Sequence, residues 1–569
     1  MRIRTPGRGI ALACVAALAA CAEDDPRPNV LLISLDSVRA DLLGTYGARL
    51  PHAPGVSPSP NLDRLAAEGV LYENARSTTS WTLPAHASLF TGEIELVHGV
   101  EQDGRTLPVE TPTLAEILGR TGYRTYGVYS GPYLDPRYGF ARGFERYEAG
   151  YGPDLAHAME EAAQTRRRLD AIEPAAVRRM HEAVNEVARA ERLLGQASHR
   201  DVSSARVTEL ALAELERAAD DGRPFFLFAH YFDAHYDYAP PAPFDRAFDR
   251  DYRGALDGHD YIRDPGVSVL DPERPSGRLR IASDRDLEFL QAQYAGELAW
   301  IDDNLGRLFS ELERLDLAKD TLVVVVGDHG DEFFEHGSIG HRRTLFEEVL
   351  RVPAILRLPG ALAAGERRAE PLVLADVPRE ILRLAGLPSA LHPPAPAAPP
   401  IARLVMPELT EIEFATAAGV QRVAGTRVRV VESFHDGELQ LLRERSLVWS
   451  TEPLTPEHRS EFDLHAAEVQ AREDLRWVDL AAHPGAPDEA WSTDFTEPRA
   501  RAALLRFRAS HAALAGRRAE PPALPDTDEL VAALNGLGYG GQEARLGTLT
   551  SDELLLPPPG EHVLDGEAR

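Results

Sequence analysis

Two apolar runs, Val30–Leu35 (VLLISL) and Thr321–Val326 (TLVVVV), lack the alternation of polar and apolar residues that a half-exposed strand shows. Strands of this kind are buried on both faces, and such strands belong to parallel sheets covered by helices. Phe225–Phe228 in RPFFLFAH and Val352–Leu358 in RVPAILRL read as further strands. Between them, Pro60–Glu68, Thr113–Arg120, Ala205–Ala219 and Leu287–Leu315 read as helices. The expected fold class is α/β: a central, mostly parallel sheet with helices on both faces.

The rest of the chain divides by composition. Residues near 155–200 are charged and helix-prone, with Pro174 as a break, and predict a solvated helical hairpin inserted at about 151–205. The proline-rich stretch 391–400 (LHPPAPAAPP) reads as a linker. Beyond it, short segments such as Val420–Ala424 and Arg427–Val431 predict a small antiparallel sheet within a C-terminal subdomain, 401–545. Helices near 498–516 and a tail over 546–569, rich in proline and acid, complete the chain.

With 61 basic and 90 acidic residues, the net charge of −29 argues against nucleic acid or an anionic membrane surface as a partner. Lys319 is the single lysine. Both cysteines, Cys14 and Cys21, lie in the first 21 residues, so the body has no thiol, disulfide or cysteine-ligated metal. Arg2, Arg4 and Arg8 precede the apolar run Ile10–Ala20, which is of signal-peptide length and short for a membrane span. Its end, Leu18-Ala19-Ala20-Cys21, resembles a bacterial lipobox. The resemblance implies that residues 1–20 are removed and Cys21 is lipidated; an ordinary signal peptide cleaved nearby is the alternative. Ala22 stands where aspartate would hold a lipoprotein back, so the expected location is the cell envelope, at the outer membrane through a lipid anchor.

In an open α/β sheet, ligands bind beyond the carboxyl ends of the strands. The first strong strand runs into Asp36 (LDSVRAD) and the second into Asp328 and His329 (GDHGDE). Two carboxylates and an imidazole at one sheet edge suit a hard or borderline divalent cation. Acids and glycines also make ordinary polar turns after strands. A third segment, Ser80–Gly92 (SWTLPAHASLFTG), places Pro84 in the first turn of a helix ending near Gly92. Thr82 then stands at the helix mouth, where free N–H groups favour an anion. A hydroxyl held there beside a metal can attack phosphorus or sulfur, although threonine at a helix start is more commonly just a cap.

Taken in order, these segments resemble the sulfatase family within the alkaline-phosphatase superfamily. PNVLLISLDSVRADLLGTYG resembles its N-terminal metal strand, and TLPAHASLFTG its nucleophile segment. HYFDAHYDYAPP resembles the segment bearing a substrate histidine, here His235, and GDHGDEFFEHGSIGHRRTLFEEVL the second metal segment. RWVDLAAHPGAPDEAW and LNGLGYGG resemble closing motifs of the C-terminal part. The likeness covers about residues 28–150 and 206–545, and implies an alkaline-phosphatase-like catalytic domain over 28–390. It implies that Asp36, Asp328 and His329 bind one divalent metal, with Thr82 facing it as nucleophile. His235 and His341 would contact the substrate or protonate the leaving oxygen, since imidazole titrates near working pH. For His336, a structural role is expected.

The departures redirect the chemistry. Typical sulfatases have aspartate at Ser37, asparagine at His329, arginine at His86 and a sulfate-holding lysine at Ser130. Arg137, Arg142 and Arg342 are the candidates to replace that lysine's charge. Thr82 is neither the cysteine nor the serine that becomes formylglycine, so no formylglycine is expected. Superfamily members with threonine here are phosphodiesterases, nucleotide pyrophosphatases and phosphoglycerol or phosphoethanolamine transferases, which pass through a phosphothreonine. The expected function is a metal-dependent hydrolase of sulfate, phosphodiester or phosphonate esters, phosphorus favoured, on an anionic substrate that is glycan- or lipid-linked. Ca²⁺ is usual in sulfatases, and an imidazole ligand shifts the preference towards Mn²⁺ or Zn²⁺. The alternatives are a phosphoryl-group transferase acting on envelope glycan or lipid, and an inactive binding homologue. Transferases of this kind carry membrane spans that this sequence lacks, and the joint presence of Asp36, Thr82, Asp328 and His329 argues against decay.

Overall fold

The computed structural model describes residues 27–102, 105–152, 202–254, 283–336, 339–389, 401–416, 419–435, 438–450, 472–483 and 485–519, with the single residues 256, 258 and 391. Cys21, the helix-prone stretch near 155–200, all but the first residue of the proline-rich linker, the LNGLGYGG segment and the tail fall outside them.

Eight strands form the main sheet: β1 (Asn29–Leu35), β2 (Val70–Tyr72), β3 (Arg124–Tyr129), β4 (Arg146–Ala149), β5 (Phe225–Tyr231), β6 (Thr321–Gly327), β7 (Ala354–Arg357) and β8 (Glu366–Arg368). Their order is β8-β2-β7-β6-β1-β5-β3-β4. The central strand β1 runs parallel to β5 and β6, and β3 continues parallel beyond β5. The segment expected as a strand over 352–358 is the shorter β7, antiparallel to both its neighbours.

Period-two packing explains why the central runs are apolar throughout. Val30 and Leu32 join Phe226, Phe228, Val324 and Val326 on one face, packed with Trp81, Leu83, Leu89 and Leu118. Leu31, Ile33 and Leu35 join Leu227, Val323 and Val325 on the other, packed with Leu215, Leu298, Leu305 and Leu308. Val30–Ile33 and Leu35 therefore bury apolar surface on alternating faces of β1. The helices that cover the two faces start where the local chemistry provides caps. Leu114–Arg120 has a capping box, in which Thr113 Oγ1 accepts from Glu116 N at 3.1 Å and Glu116 Oε2 accepts from Thr113 N at 2.9 Å. Ser283 caps the 31-residue helix Asp284–Arg314. Among the described residues, no helix is long and apolar enough to cross a membrane.

The C-terminal sheet is larger than expected. Ile401–Thr416, Gly419–His435, Leu439–Ser450 and Arg472–Asp479 pair antiparallel in chain order, so the two short segments foreseen at 420–431 are parts of one 17-residue strand. The helix Pro498–Ala515 sets Leu504 and Phe507 in a cluster with Phe434 and Leu441 of this sheet and Leu96 and Val97 of the main body. A buried ionic network crosses the same seam. Arg403 reaches Glu101 at 2.6 Å and also pairs with Glu432, while Arg443 Nε donates to Glu432 at 2.8 Å. Burial alone would raise Glu432, but the Arg443 and Arg403 guanidinia hold it well below the usual carboxylate range. Removing one member of such a network strands its partners in a low-dielectric interior. Glu432→Ala should lower the stability of the chain by about 3–5 kcal/mol, read as a shift in the denaturant midpoint. A midpoint unchanged from the parent would show that water reaches the network and screens it.

Candidate active site

The pairing of β1 with β6 decides where the acids emerge. Leu35 pairs with Gly327 in the last register position, so Asp36 and Asp328 leave the sheet side by side, both fully buried. Two N–H groups, from Ser37 at 3.0 Å and His329 at 2.7 Å, donate to Asp328 Oδ1. Ser37 adopts a left-handed φ of 58°, a conformation rare for residues other than glycine and concentrated at functional sites. Its hydroxyl donates to Asp36 Oδ1 at 3.0 Å.

The helix Thr82–Thr91 brings the hydroxyl to these acids. It ends at Gly92, whose φ of 71° is the left-handed C-terminal cap expected from sequence. Trp81 holds the N-cap position without a side-chain cap, so Thr82 is not merely a cap. Thr82 Oγ1 lies 3.3 Å from Asp36 Oδ2, to which it donates, and 3.4 Å from His329 Nε2. One turn on, His86 Nδ1 donates to the Thr82 carbonyl at 2.9 Å and Nε2 accepts from the Ser34 hydroxyl at 2.9 Å. Burial pushes His86 down to about 3, so it is neutral.

His329 Nδ1 donates to the Gly330 carbonyl at 3.1 Å, which turns the lone pair of Nε2 towards Asp328 Oδ2 at 3.4 Å and Asp36 Oδ1 at 3.8 Å. His341 Nδ1 donates to Asp331 Oδ1 at 2.6 Å, and Tyr238 donates to the other oxygen of that carboxylate at 2.5 Å. The His341 ring lies 4.4 Å from His329 and 4.9 Å from His235. His235 stacks on Phe232 at 4.6 Å. All the residues expected at the site from sequence within the described chain thus converge. Burial pushes His235 and His341 down to about 3, so both are neutral at neutral pH rather than titrating near it.

His230, Asp331 and Tyr238 were not anticipated. His230 accepts from Ser130 N at 3.4 Å through Nδ1, and its Nε2 donates to Asp36 Oδ2 at 3.1 Å. The signal for it was present: His230 pairs with Ser34 at the carboxyl end of β5, the ligand edge of the sheet. His336, by contrast, contacts Asp488 at 2.8 Å and stacks on Phe346, a structural setting as expected.

One ligand atom each from Asp36, Asp328 and His329 lies within 4.8 Å of the others, and a second trio, His329, Asp331 and His341, shares His329. The first trio fits a divalent cation. Asp328 Oδ2 is buried and accepts no hydrogen bond among the described residues. Burial and the adjacent Asp36 carboxylate push Asp328 well above its usual range, a conflict that a cation between the two acids relieves. In the second trio, Asp331 is already held by His341 and Tyr238.

Of the arginines considered as sources of charge, Arg137 folds back on Asp135 at 2.9 Å, and Arg142 donates to the carbonyls of Pro108 and Thr111. Arg342 lies with its guanidinium carbon 4.0 Å from the centre of the Trp81 ring. Lys319, exposed and paired with Asp316, stands at the opposite end of β6.

Comparison with known proteins agrees with this geometry. A family model described as Sulfatase matches residues 28–387. A multifunctional alkaline phosphatase superfamily protein, PehA of Trinickia caryophylli, is 28% identical over 375 residues, covering 59% of this chain and 69% of its own. The choline-sulfatase of Rhizobium meliloti is 25% identical over 496 residues, covering 83% of this chain and 86% of its own. Among solved structures, the phosphonate monoester hydrolase of Agrobacterium radiobacter shares the fold, with a TM-score of 0.56 and 18% identity over 86% of this chain and 96% of that one. With the family model spanning more than half of its length, the chain belongs to the sulfatase family, a metal-dependent family, and is an ester hydrolase of the alkaline-phosphatase superfamily.

Proposed function

We propose that the chain hydrolyses phosphodiester or phosphonate esters in preference to sulfate esters, with Thr82 as nucleophile and one divalent metal held by Asp36, Asp328 and His329. The observation that carries this reading is the Thr82 hydroxyl at 3.3 Å from Asp36 and 3.4 Å from His329, at the open end of its own helix. A cation bound there would lower the hydroxyl's pKa and offset the charge on the ester oxygens. Thr82 Oγ1 gives up its proton along its hydrogen bond to Asp36 Oδ2 and forms the bond to phosphorus as the bond to the leaving oxygen breaks, and the helix N-terminus faces the charge that develops. His235 or His341 hands a proton to the leaving oxygen; both are neutral in the free protein, so the bound anion must first raise the one that serves. Water then attacks phosphorus, its proton passing to the histidine that served the leaving group, and the bond from phosphorus to Thr82 Oγ1 breaks as that oxygen takes back the proton held at Asp36. On sulfur, a threonine sulfate lacks the hemiacetal route that frees formylglycine, which is why the residue type favours phosphorus.

Two relatives point both ways: one solved neighbour is a phosphonate monoester hydrolase from Silicibacter pomeroyi, and one sequence relative is an N-acetylglucosamine-6-O-sulfatase of Bacteroides thetaiotaomicron. The residues of this chain, Thr82 above all, are what support phosphorus. We further infer export and lipid anchoring through Cys21, with a catalytic domain over 28–390 and a C-terminal subdomain over 401–545.

Elemental analysis should find about one metal per chain, and Asp328→Ala should lose both metal and activity, because the trio offers one shared cation position. Chelation should abolish turnover and Mn²⁺ or Zn²⁺ should restore it; two tightly held metals per chain would contradict the ligand assignment. Thr82→Ala should slow turnover by at least ~10³-fold, whereas Thr82→Ser should keep part of it. A panel of aryl phosphodiester, phosphonate and sulfate esters tests the preference, and faster sulfate cleavage than any phosphorus ester would refute it. Mass analysis of the mature N-terminus should find a lipidated Cys21, and an unmodified chain starting elsewhere would rule out the anchor.

A further inference from the structure

Whichever of His235 and His341 serves the leaving oxygen, the group carried by that oxygen lies beside one tyrosine. The ring centre of Tyr236 is 4.3 Å from that of His235 and 5.0 Å from that of His341. The two imidazoles are themselves 4.9 Å apart, so the three rings close a triangle. His235 and His341 are 4% and 5% exposed, whereas Tyr236 is only half-buried against the core. Tyr236 is therefore the member of the triangle that meets an entering molecule. Its loop is tied down on both sides. His235 N donates to the Phe232 carbonyl at 2.9 Å, closing a turn, and His235 Nδ1 donates to the carbonyl of Tyr236 at 2.8 Å. Within that turn, Asp233 accepts from Ser203 N, Ser204 N and Trp300 Nε1 at 2.8, 2.9 and 2.9 Å. Beyond it, Ala239 N donates to the buried Glu297 carboxylate at 2.9 Å. A ring fixed in this way before a ligand arrives loses little freedom on binding. Tyr238, two residues on, shows the contrast. It is fully buried and its hydroxyl is committed to Asp331, as a core tyrosine requires. The Tyr236 hydroxyl makes no hydrogen bond among the described residues. The core thus uses one tyrosine of this stretch and leaves the other with a flat face at the reaction centre.

We propose that Tyr236 is a specificity-determining residue of the site: its ring is the platform on which the leaving group packs, which selects ring-bearing alcohols, aryl or sugar, over short alkyl ones. This rests on the ester-hydrolase reading of the site, but it concerns the group beyond the leaving oxygen and is measured without turnover. The full, metal-loaded chain carrying Thr82→Ala is titrated by calorimetry with methyl phosphate, phenyl phosphate and glucose 1-phosphate. The same titrations are run with Tyr236→Ala, Tyr236→Leu or Tyr236→Phe added, and metal content and melting temperature are measured alongside. With Tyr236 in place, a ring-bearing phosphate should bind about 3- to 10-fold tighter than methyl phosphate, the range for one ring packed on an aromatic face. Which of the two does so tells aryl from sugar. Tyr236→Ala should remove that advantage and Tyr236→Phe should keep it. The ratio is taken within each variant, so a merely structural loss, which weakens all three ligands alike, does not move it. An advantage below about threefold with Tyr236 in place overturns the proposal and leaves the hydrolase reading standing, and so does an advantage that survives Tyr236→Ala. Should Tyr236→Ala not fold, Tyr236→Leu decides: it keeps apolar bulk without the flat face, so a lost advantage supports the proposal and a retained one overturns it. A full ring advantage in a chain that cleaves no ester with Thr82 intact overturns the hydrolase reading alone. A metal-loaded chain that binds none of the three phosphates overturns both.

Discussion

The side-by-side exit of β1 and β6 from the sheet is the constraint on which the site depends. Because Leu35 and Gly327 are paired, two carboxylates leave neighbouring strands at the same height with no solvent between them. Left alone, such a pair repels; the N–H groups of Ser37 and His329 satisfy only one oxygen of Asp328. Everything else gathers around that tension. His230 donates to Asp36 from the strand on the far side, and the helix bearing Thr82 presents its positive end to the same point. The apolar runs are what make the tension tolerable, since the sheet beneath buries both faces of β1 and cannot shift register without exposing them.

The departures from the sulfatase pattern that the sequence resembles are only partly balanced in charge, because Ser130 stands where that pattern has a lysine and nothing offsets its loss. Ser37 removes a negative charge from the metal side, and His86, neutral at the position of an arginine, removes a positive one. Those two changes offset each other, while the hydrogen bonds are rerouted: His86 holds the Thr82 carbonyl and Ser34, and the Ser37 hydroxyl holds Asp36. His329 in place of asparagine exchanges an amide for an imidazole ligand without altering that balance.

Much of the fold was legible because its strongest signals are local. The helix Pro60–Glu68 and the Gly92 stop follow from capping and helix-ending residues, and β1 and β6 from unbroken apolar runs. The antiparallel direction of β7 was not legible, since direction is set by chain connection rather than by composition. The length of the Gly419–His435 strand was missed because its charged and small residues mask the strand pattern. At the site, His235 was found from its motif, whereas His230 and Tyr238 in the same HYFDAHYDYAPP stretch were passed over because their partners, Asp36 and Asp331, lie on distant segments. The acidity of His235 and His341 could not be foreseen, because burial of a polar ring is a property of the assembled core.

The ionic seam between the main body and the C-terminal sheet bears on how the molecule can be divided. Glu101 follows shortly after the helix that carries Thr82, is 2% exposed, and is satisfied by Arg403 and Arg518. Both of those arginines come from beyond the proline-rich stretch. A truncated chain ending there would keep every residue of the reaction centre and yet leave an acid stranded beneath it, with nothing to neutralise it but a proton or invading water. The part of the chain that holds the proposed site residues is therefore not self-sufficient in charge, and the residues beyond the proline-rich stretch supply its counter-ions.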